Sequence, residues 1–596
     1  MTNGLFIATP NTRNRARSVA SLTEVSSIKD LRDGETVITQ GYRTSGDGGG
    51  NTYRWHKFGR ALLTMDGGIY IAIGNGDGYL EAIEKKILNV RQFGANGTAA
   101  YDTPAFVAAV AALTERGKLF LPSGSYQIDS DTMVPDRLEI PCHRVTIEGD
   151  GSTESFITMI GSTPKGMWYS ANKRNLVVKS MSLAGNATSN AYSYKDTGVW
   201  INYDDTASDS LDGNIRIEDL ELSGFRGPVW CCVANARTAT TYPVRNITID
   251  KVSCSGGDDR DPTQIGVTAL QIGVMCLVGG SVQDILINDC ICDATNVKMG
   301  IGLFQNHTGI SIKRAIVSGC IVSNAGLGDS IANTGRYAFS AYGMFEDIVF
   351  TGCIANDPFD AGIYSVTGYR LTVNGCILRG QQSTDDSTLL KGAICSGDVK
   401  YLVVSGSTFY DNAINISHGN GNEGAVVAIT GNLFFDGHVQ LISPYQSRSV
   451  TANGGCITGN VFVDSWIKLR DGLDPSKSVV VDTGTDAFTA VAHGYTTADV
   501  LRFTATTMPA GLNPKGRYYV VNPTTDTFQI SRTDGGTAID LTSTGDTVLA
   551  YRVSDWRDLS ISENTVTITK AVTFSCITGS VYEGFMNILI TTWSRI

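Results

Sequence analysis

DILINDCICDA (284–294), AIVSGCIVSNA (315–325), DIVFTGCIAND (347–357), RLTVNGCILRG (370–380), LVVSGSTFYDN (402–412), VAITGNLFFDG (427–437) and GCITGNVFVDS (455–465) are versions of one phrase. Each runs an alternating apolar strand into a small polar corner, after which Cys, Ser or Asn opens a second short apolar strand. The corner residues are Cys290, Cys320, Cys353, Cys376, Ser407, Asn432 and Asn460, at steps of 30, 33, 23, 31, 25 and 28. Self-similarity at a period of roughly 20–50 residues marks a stacked array. β-branched strands of period 2 with Gly/Asn corners make the unit a coil of strands. The expected fold is an all-β solenoid, whose coils bury their inner faces only by stacking.

Upstream the phrase continues more loosely, with corners expected at Asp150, Met181, Leu220 and Val252 at steps of 31, 39 and 32, and 38 on to Cys290. Extra length in a solenoid goes into surface loops, so the wide coils between Leu220 and Cys290 are candidate groove walls. Downstream, the next good corner after Asn460 is Asn564, a gap of 104 residues. The surplus over one coil reads as an inserted small β-sandwich-like module at 478–553, because its sequence is all short strands and turns.

Composition bounds the function. Hydrophobic residues make up 42%, charged residues only 18%, and there are 66 Gly, a balance that suits β-strands joined by tight turns. A net charge of −11 argues against a general nucleic-acid binder or a binder of anionic membranes. The 13 cysteines include four at the repeated corner, which reads as a column of buried reduced thiols. The N-terminus carries no apolar signal core, and no run approaches a membrane span. No metal-ligand spacing or cofactor motif is present.

The segment NVRQFGANGTAAYDTPAFVAAVAALTERGKLFLPSGSYQI (89–128) reads as strand, turn, helix, strand, turn, strand. Asp102 or Thr103 is expected to cap an Ala-rich helix reaching about Leu113, which would cover the open first coil. Together with GYRTSGDGGGNTYRW (41–55), read as strands around a Gly-rich turn, and the coils that follow, this segment resembles bacteriophage tailspike depolymerases with a pectate-lyase-like right-handed parallel β-helix. The resemblance covers roughly 25–475. It implies a homotrimer on the virion, made in the bacterial host cytoplasm, that binds and cleaves a capsular or lipopolysaccharide O-antigen polysaccharide. The domain expectation is then a virion-attachment peptide at 1–26 that docks on another tail protein, a β-rich neck or cap at 27–88, the β-helix with its capping helix at 89–477, the insert at 478–553, and a closing trimerisation segment at 554–596.

Glycoside hydrolysis needs two carboxyls, a lyase needs a base and a cation facing a uronate, and a binding-only spike needs just a sugar-binding face. Aligned on the following strand, Asp360, Asp411, Asp436 and Asp464 form a column of corner acids. Asp411, Asp436 and Asp464 read as turn formers. Asp360 differs because NDPFDAGIY adds Asp357, and STDDST adds Asp385 and Asp386 one coil later. These four are the expected catalytic set. His418, Arg336, Tyr337, Tyr342 and Tyr364 are the expected substrate-binding residues, the aromatics for stacking on sugars. The order of acid, acid pair and His418-Gly resembles polygalacturonases, with IKLR (467–470) echoing their basic motif. Lys298 and His307 are the lyase alternative's bases, and the loop at Asp329 is the next candidate.

Overall fold

The computed structural model describes residues 16–74, 78–163, 165–186, 196–203, 211–225, 227–233, 243–256, 270–276, 281–295, 297–305, 312–326, 336–379, 392–411, 413–417, 426–442, 454–470, 472–473, 476–497, 499–514, 516–554 and 559–567. The chain divides into two compact units, Met1–His307 with Gly328–Ile331, and Thr308–Leu327 with Ala332–Ile596.

The first unit opens with a five-stranded sheet in the order Ala16–Val19, Thr36–Thr39, Thr52–His56, Tyr79–Ala82, Tyr70–Ala72. Its Gly-rich stretch is a turn closed by the Asp47 carboxylate, which accepts the backbone N–H of Tyr42, Arg43, Thr44 and Gly49 at 2.7–3.0 Å. Beyond it, each coil places a strand on each of three faces, paired in parallel with its counterpart on the next coil. The first face runs from Lys118–Leu121 through Thr146–Gly149 to Val282–Asn288. The second runs from Gly124–Asp129 through Ser155–Ile160 to Ile291–Asp293. The third runs from Leu138–Glu139 through Trp168–Ala171, Thr197–Tyr203, Gly227–Val233 and Leu270–Cys276 to Met299–Gln305. In-register pairing puts like residues above one another: Ile147, Val178, Ile217, Ile249 and Ile287 make one inner column and are all buried. Each such side chain contributes about 1.5–3 kcal/mol of transfer free energy. Met181, Leu220 and Val252 occupy the expected inner corner, but at the first of these coils Ser155 takes the place expected for Asp150. The Ser155 hydroxyl donates to the Leu121 carbonyl and accepts from the Asp150 N–H.

The helix spans Ala99–Ala111 with Thr98 at its N-cap, so it begins earlier than Asp102. Asp102 lies in its first turn, fully buried, and reaches back to accept the N–H of Asn96 (2.7 Å) and Gly97 (3.0 Å). Its other oxygen accepts the N–H of Gln127 at 2.8 Å, and the Thr103 hydroxyl accepts the N–H of Asp129 at 2.8 Å. Gly124–Asp129 is the first strand of the second face, with no coil below it to take those two donors. The helix thus supplies side-chain oxygens where a preceding coil would supply carbonyls.

The second unit repeats the three-faced coil. Its first face runs from Ile312–Ser318 to Leu559–Ser562, its second from Ile321–Ser323 to Thr565–Thr567, and its third from the start of Tyr337–Thr351 to Trp466–Arg470. Between the first two faces stands the corner that the repeat announced. Cys320, Cys353, Cys376, Ser407, Asn432 and Asn460 all point inward and are at most 1% exposed. The thiols of Cys353 and Cys376 donate to the carbonyls of Val317 and Phe350 on the preceding coil, at 3.4 and 3.6 Å. Asn432 and Asn460 donate in the same way to Val404 and Ile429, at 3.0 and 2.9 Å. Each Asn also accepts the backbone N–H of the preceding corner residue. Asn460→Ala strands the Asn432 N–H and the Ile429 carbonyl without water. Unpaired buried groups cost about 1–3 kcal/mol each, so a clearly lower melting temperature is expected. An unchanged melting curve would show that the ladder contributes nothing.

Between Asn460 and Asn564, which share a hydrogen bond of 2.9 Å, an antiparallel sheet runs from Gly472–Leu473, paired with Leu549–Ser554, across to Val480–Asp482. Its own core centres on Phe488, Phe503, Tyr518 and Phe528. Residues 1–15 and 568–596, which hold most of the expected attachment and trimerisation segments, lie outside the described residues. No helix among the described residues is long and apolar enough to cross a membrane.

Candidate functional site

An open groove of about 740 Å³ in the second unit is lined by Ser323, Asn324, Asn356, Asp357, Arg379, Tyr410 and Asp411. All seven come from the second face and the corner that follows it. The three-residue strands there, Ile321–Ser323, Ile354–Asn356, Ile377–Arg379 and Thr408–Tyr410, bury the middle residue and turn the third outward. The outward column therefore reads Ser323, Asn356, Arg379, Tyr410, and continues to Phe435, whose ring stacks on Tyr410 at 5.0 Å and 10°.

The corner residue after each strand takes a left-handed backbone: Asn324 (φ 60°), Asp357 (49°), Asp411 (52°), Asp436 (52°) and Asp464 (49°). Asn and Asp are the non-glycine residues that tolerate this conformation best, which explains the column of acids. The register makes Asp357, not Asp360, the counterpart of Asp411. The N–H of Asp357 donates to the Arg379 carbonyl (3.0 Å) as that of Asp411 donates to Phe435 (2.9 Å). Pro358 and Phe359 insert between this corner and the third-face strand, and the shift carries Asp360 inside, where it is 1% exposed.

Asp360 accepts the Arg336 backbone N–H at 3.1 Å and its Nε at 3.3 Å, while the guanidinium lies 3.4 Å from the Phe359 ring centroid. Tyr337 and Tyr364 are also buried and stack at 4.0 Å; desolvation raises both phenols, Tyr364 to about 12. Of the expected binding residues, Tyr342 presents a surface, at 40% exposure. The reason is that this part of the third face is packed on both sides, so its outward positions are interior. Asp385, Asp386 and His418 lie outside the described residues, as do His307 and Asp329; the stretch 380–391 begins directly after groove-lining Arg379. Lys298 is 5% exposed in the first unit.

Sequence reading missed Arg379, Tyr410 and the exposed face of Asp411. Among the described residues the carboxylates of Asp357 and Asp411 accept no hydrogen bond and join no ion pair, whereas Asp436 and Asp464 are not free. Arg379 likewise has no ion pair among the described residues, its guanidinium lying 5.3 Å from the Tyr410 ring centroid. Asp357 and Asp411 stand two coils apart with Arg379 on the coil between. At about 4.8 Å per coil their backbones are roughly 10 Å apart, a spacing from which side chains turned toward one another would come within the 6.5–9.5 Å of an inverting pair. No group of three or more potential metal ligands occurs among the described residues.

No family model matches the chain, and no curated protein matches it. Among solved structures it is similar to tailspike protein gp49 from Acinetobacter baumannii bacteriophage Fri1, a capsular polysaccharide depolymerase, with 13% identity over 91% of this chain and 98% of that one and a TM-score of 0.44. It is similar to full-length tailspike protein 2 from Escherichia coli O157:H7 bacteriophage CAB120, with 12% identity over 91% and 72% and a TM-score of 0.41. The tailspike protein of Acinetobacter baumannii phage AM24 gives 10% identity over 90% of each chain and a TM-score of 0.39.

Proposed function

We propose that the chain is a phage tailspike that depolymerises a bacterial capsular or O-antigen polysaccharide by glycosidic hydrolysis in the Asp357–Asp411 groove. The observation that carries the reading is two carboxylates without a partner among the described residues, facing one open groove across an arginine that has no ion pair among them. One carboxyl protonates the leaving glycosidic oxygen, and the other, from the far side of the sugar, takes a proton from the attacking water. Tyr410 and Phe435 offer a stacked aromatic wall for the sugar rings, and Asn324, Asn356 and Ser323 offer groups that bond hydroxyls. The polymer class is what the resemblance of roughly 25–475 to tailspike depolymerases implies. In the same reading the chain is a homotrimer on the virion, attached through its N-terminal residues to another tail protein and made in the host cytoplasm.

Digestion of purified capsules and O-antigens tests the chemistry. Hydrolysis leaves ordinary reducing ends. An ultraviolet-absorbing unsaturated uronate would instead make the Arg379–Tyr410 pair the centre of a lyase, and intact polymer across the panel would leave a binding-only spike. Light scattering should report three chains; a monomer at micromolar concentration would remove the assembly.

A further inference from the structure

The corner that precedes the first face of the first unit has its own left-handed column. It reads Arg116 (φ 64°), Arg144 (58°), Asn175 (56°), Asn214 (45°), Asn246 (61°) and Asp284 (59°), one residue per coil. From the third coil onward the residue is Asn or Asp, and the Asn side chains bond one another at 2.9 Å. On the first two coils arginine stands in a conformation its side chain disfavours. Arginine recurs in this conformation at the equivalent corner of the second unit, Arg314 (φ 53°), so the backbone tolerates it there; what sets the first two coils apart is that two arginines follow one another.

Lys173 and Arg174 stand on the same turn as Asn175, and the coils interlock there: the N–H of Arg116 donates to the His143 carbonyl at 3.4 Å and that of Arg144 to the Arg174 carbonyl at 2.9 Å. Four cations thus rise over three successive coil levels. Glu115 offsets one of them, pairing with Arg144 at 2.6 Å where both are about half exposed. Among the described residues Arg116, Lys173 and Arg174 form no ion pair. His143 sits among them and releases its proton more readily than a free histidine, through desolvation and then through Arg174, Lys173 and Arg144. So dense a positive corner is out of keeping with a chain of net charge −11.

We propose that Arg116, Arg144, Lys173 and Arg174 form a second, non-hydrolytic binding site for an anionic glycan, one whose sugars carry carboxylate or phosphate groups. A row of cations at intervals of about 4.8 Å suits a polymer with repeated charges better than a single ion, and the choice of a glycan over a nucleic acid rests on the proposed function. The site consists of first-unit residues alone and does not depend on cleavage in the groove.

The test is retention of the full-length protein on immobilised polygalacturonate, with dextran as neutral control and single-stranded DNA as rival polyanion. Wild type should be retained on polygalacturonate, progressively less as salt rises, and not on dextran. Arg116→Asn with Arg144→Asn installs the residue of the later coils, so those changes should leave the melting temperature equal or higher. Adding Lys173→Ala and Arg174→Ala should weaken retention at least tenfold. Unchanged retention of the quadruple variant, loss of retention in Asp357→Asn instead, or retention by DNA but not polygalacturonate would each overturn the proposal. A lowered melting temperature in the double Asn variant would overturn it too, by giving the arginines a purely structural reason.

Discussion

Asp357→Asn and Asp411→Asn should each lower turnover by about a hundredfold or more while leaving the fold and polymer binding intact. Both residues occupy left-handed corners, and Asn accepts that conformation as well as Asp does, so the backbone has no reason to move. What changes is the ability to give or take a proton, and general acid–base groups contribute roughly 10²–10⁴ in rate. The matched control is Asp436→Asn, one coil further along: the same corner, the same conformation, exposed, but outside the groove. It should be near neutral. If Asp357→Asn and Asp411→Asn both cleave at wild-type rate with unaltered products, the groove is not the catalytic centre, and the undescribed stretch with Asp385 and Asp386 becomes the place to look.

Asp102→Ala should be the most damaging single change to stability. The carboxylate is fully buried and accepts three backbone N–H groups, each left stranded at about 1–3 kcal/mol. One of the three belongs to the edge strand of the solenoid, Gly124–Asp129, which then presents the unpaired Gln127 N–H to solvent or to another chain. Expected are poor soluble yield and faster hydrogen exchange at Gln127 than in wild type. Thr98→Ala makes the contrast. Thr98 is the helix N-cap by position, but its side chain makes no cap bond to the helix, so its removal should cost little. Equal damage from both would mean that helix capping, not the edge, is what matters.

The solenoid was legible because from Cys290 onward its inner corner obeys one rule: a small residue able to bond the coil before it, flanked by period-2 apolar strands. Cys353, Ser407 and Asn460 meet that rule with different atoms, which is why the phrase survives changes of letter. The site was less legible. Aligning acids on the strand that follows made Asp360 the partner of Asp411, because Pro358 and Phe359 lengthen that one corner and a one-dimensional count cannot see a left-handed φ. Asp411 looked architectural because it recurs, yet an acid that suits a corner is still a free acid if nothing pairs with it. Arg379 and Tyr410 were readable in principle. The third residues of successive short strands, Ser323, Asn356, Arg379, Tyr410 and Phe435, make a polar and aromatic column beside an apolar interior. The burial of Tyr337, Tyr364 and Arg336 was not readable, since a third face packed on both sides shows no alternation.

The direct bond between Asn460 and Asn564 has a consequence in time. The coil that covers Gly454–Thr458 is 104 residues downstream of it, and at about 5–20 residues per second of synthesis it leaves the ribosome roughly 5–20 s late. Until then the growing solenoid ends in an uncovered strand at high local concentration, beside sister chains on the same messenger. The inserted sheet, with its own aromatic core, can complete itself during that wait.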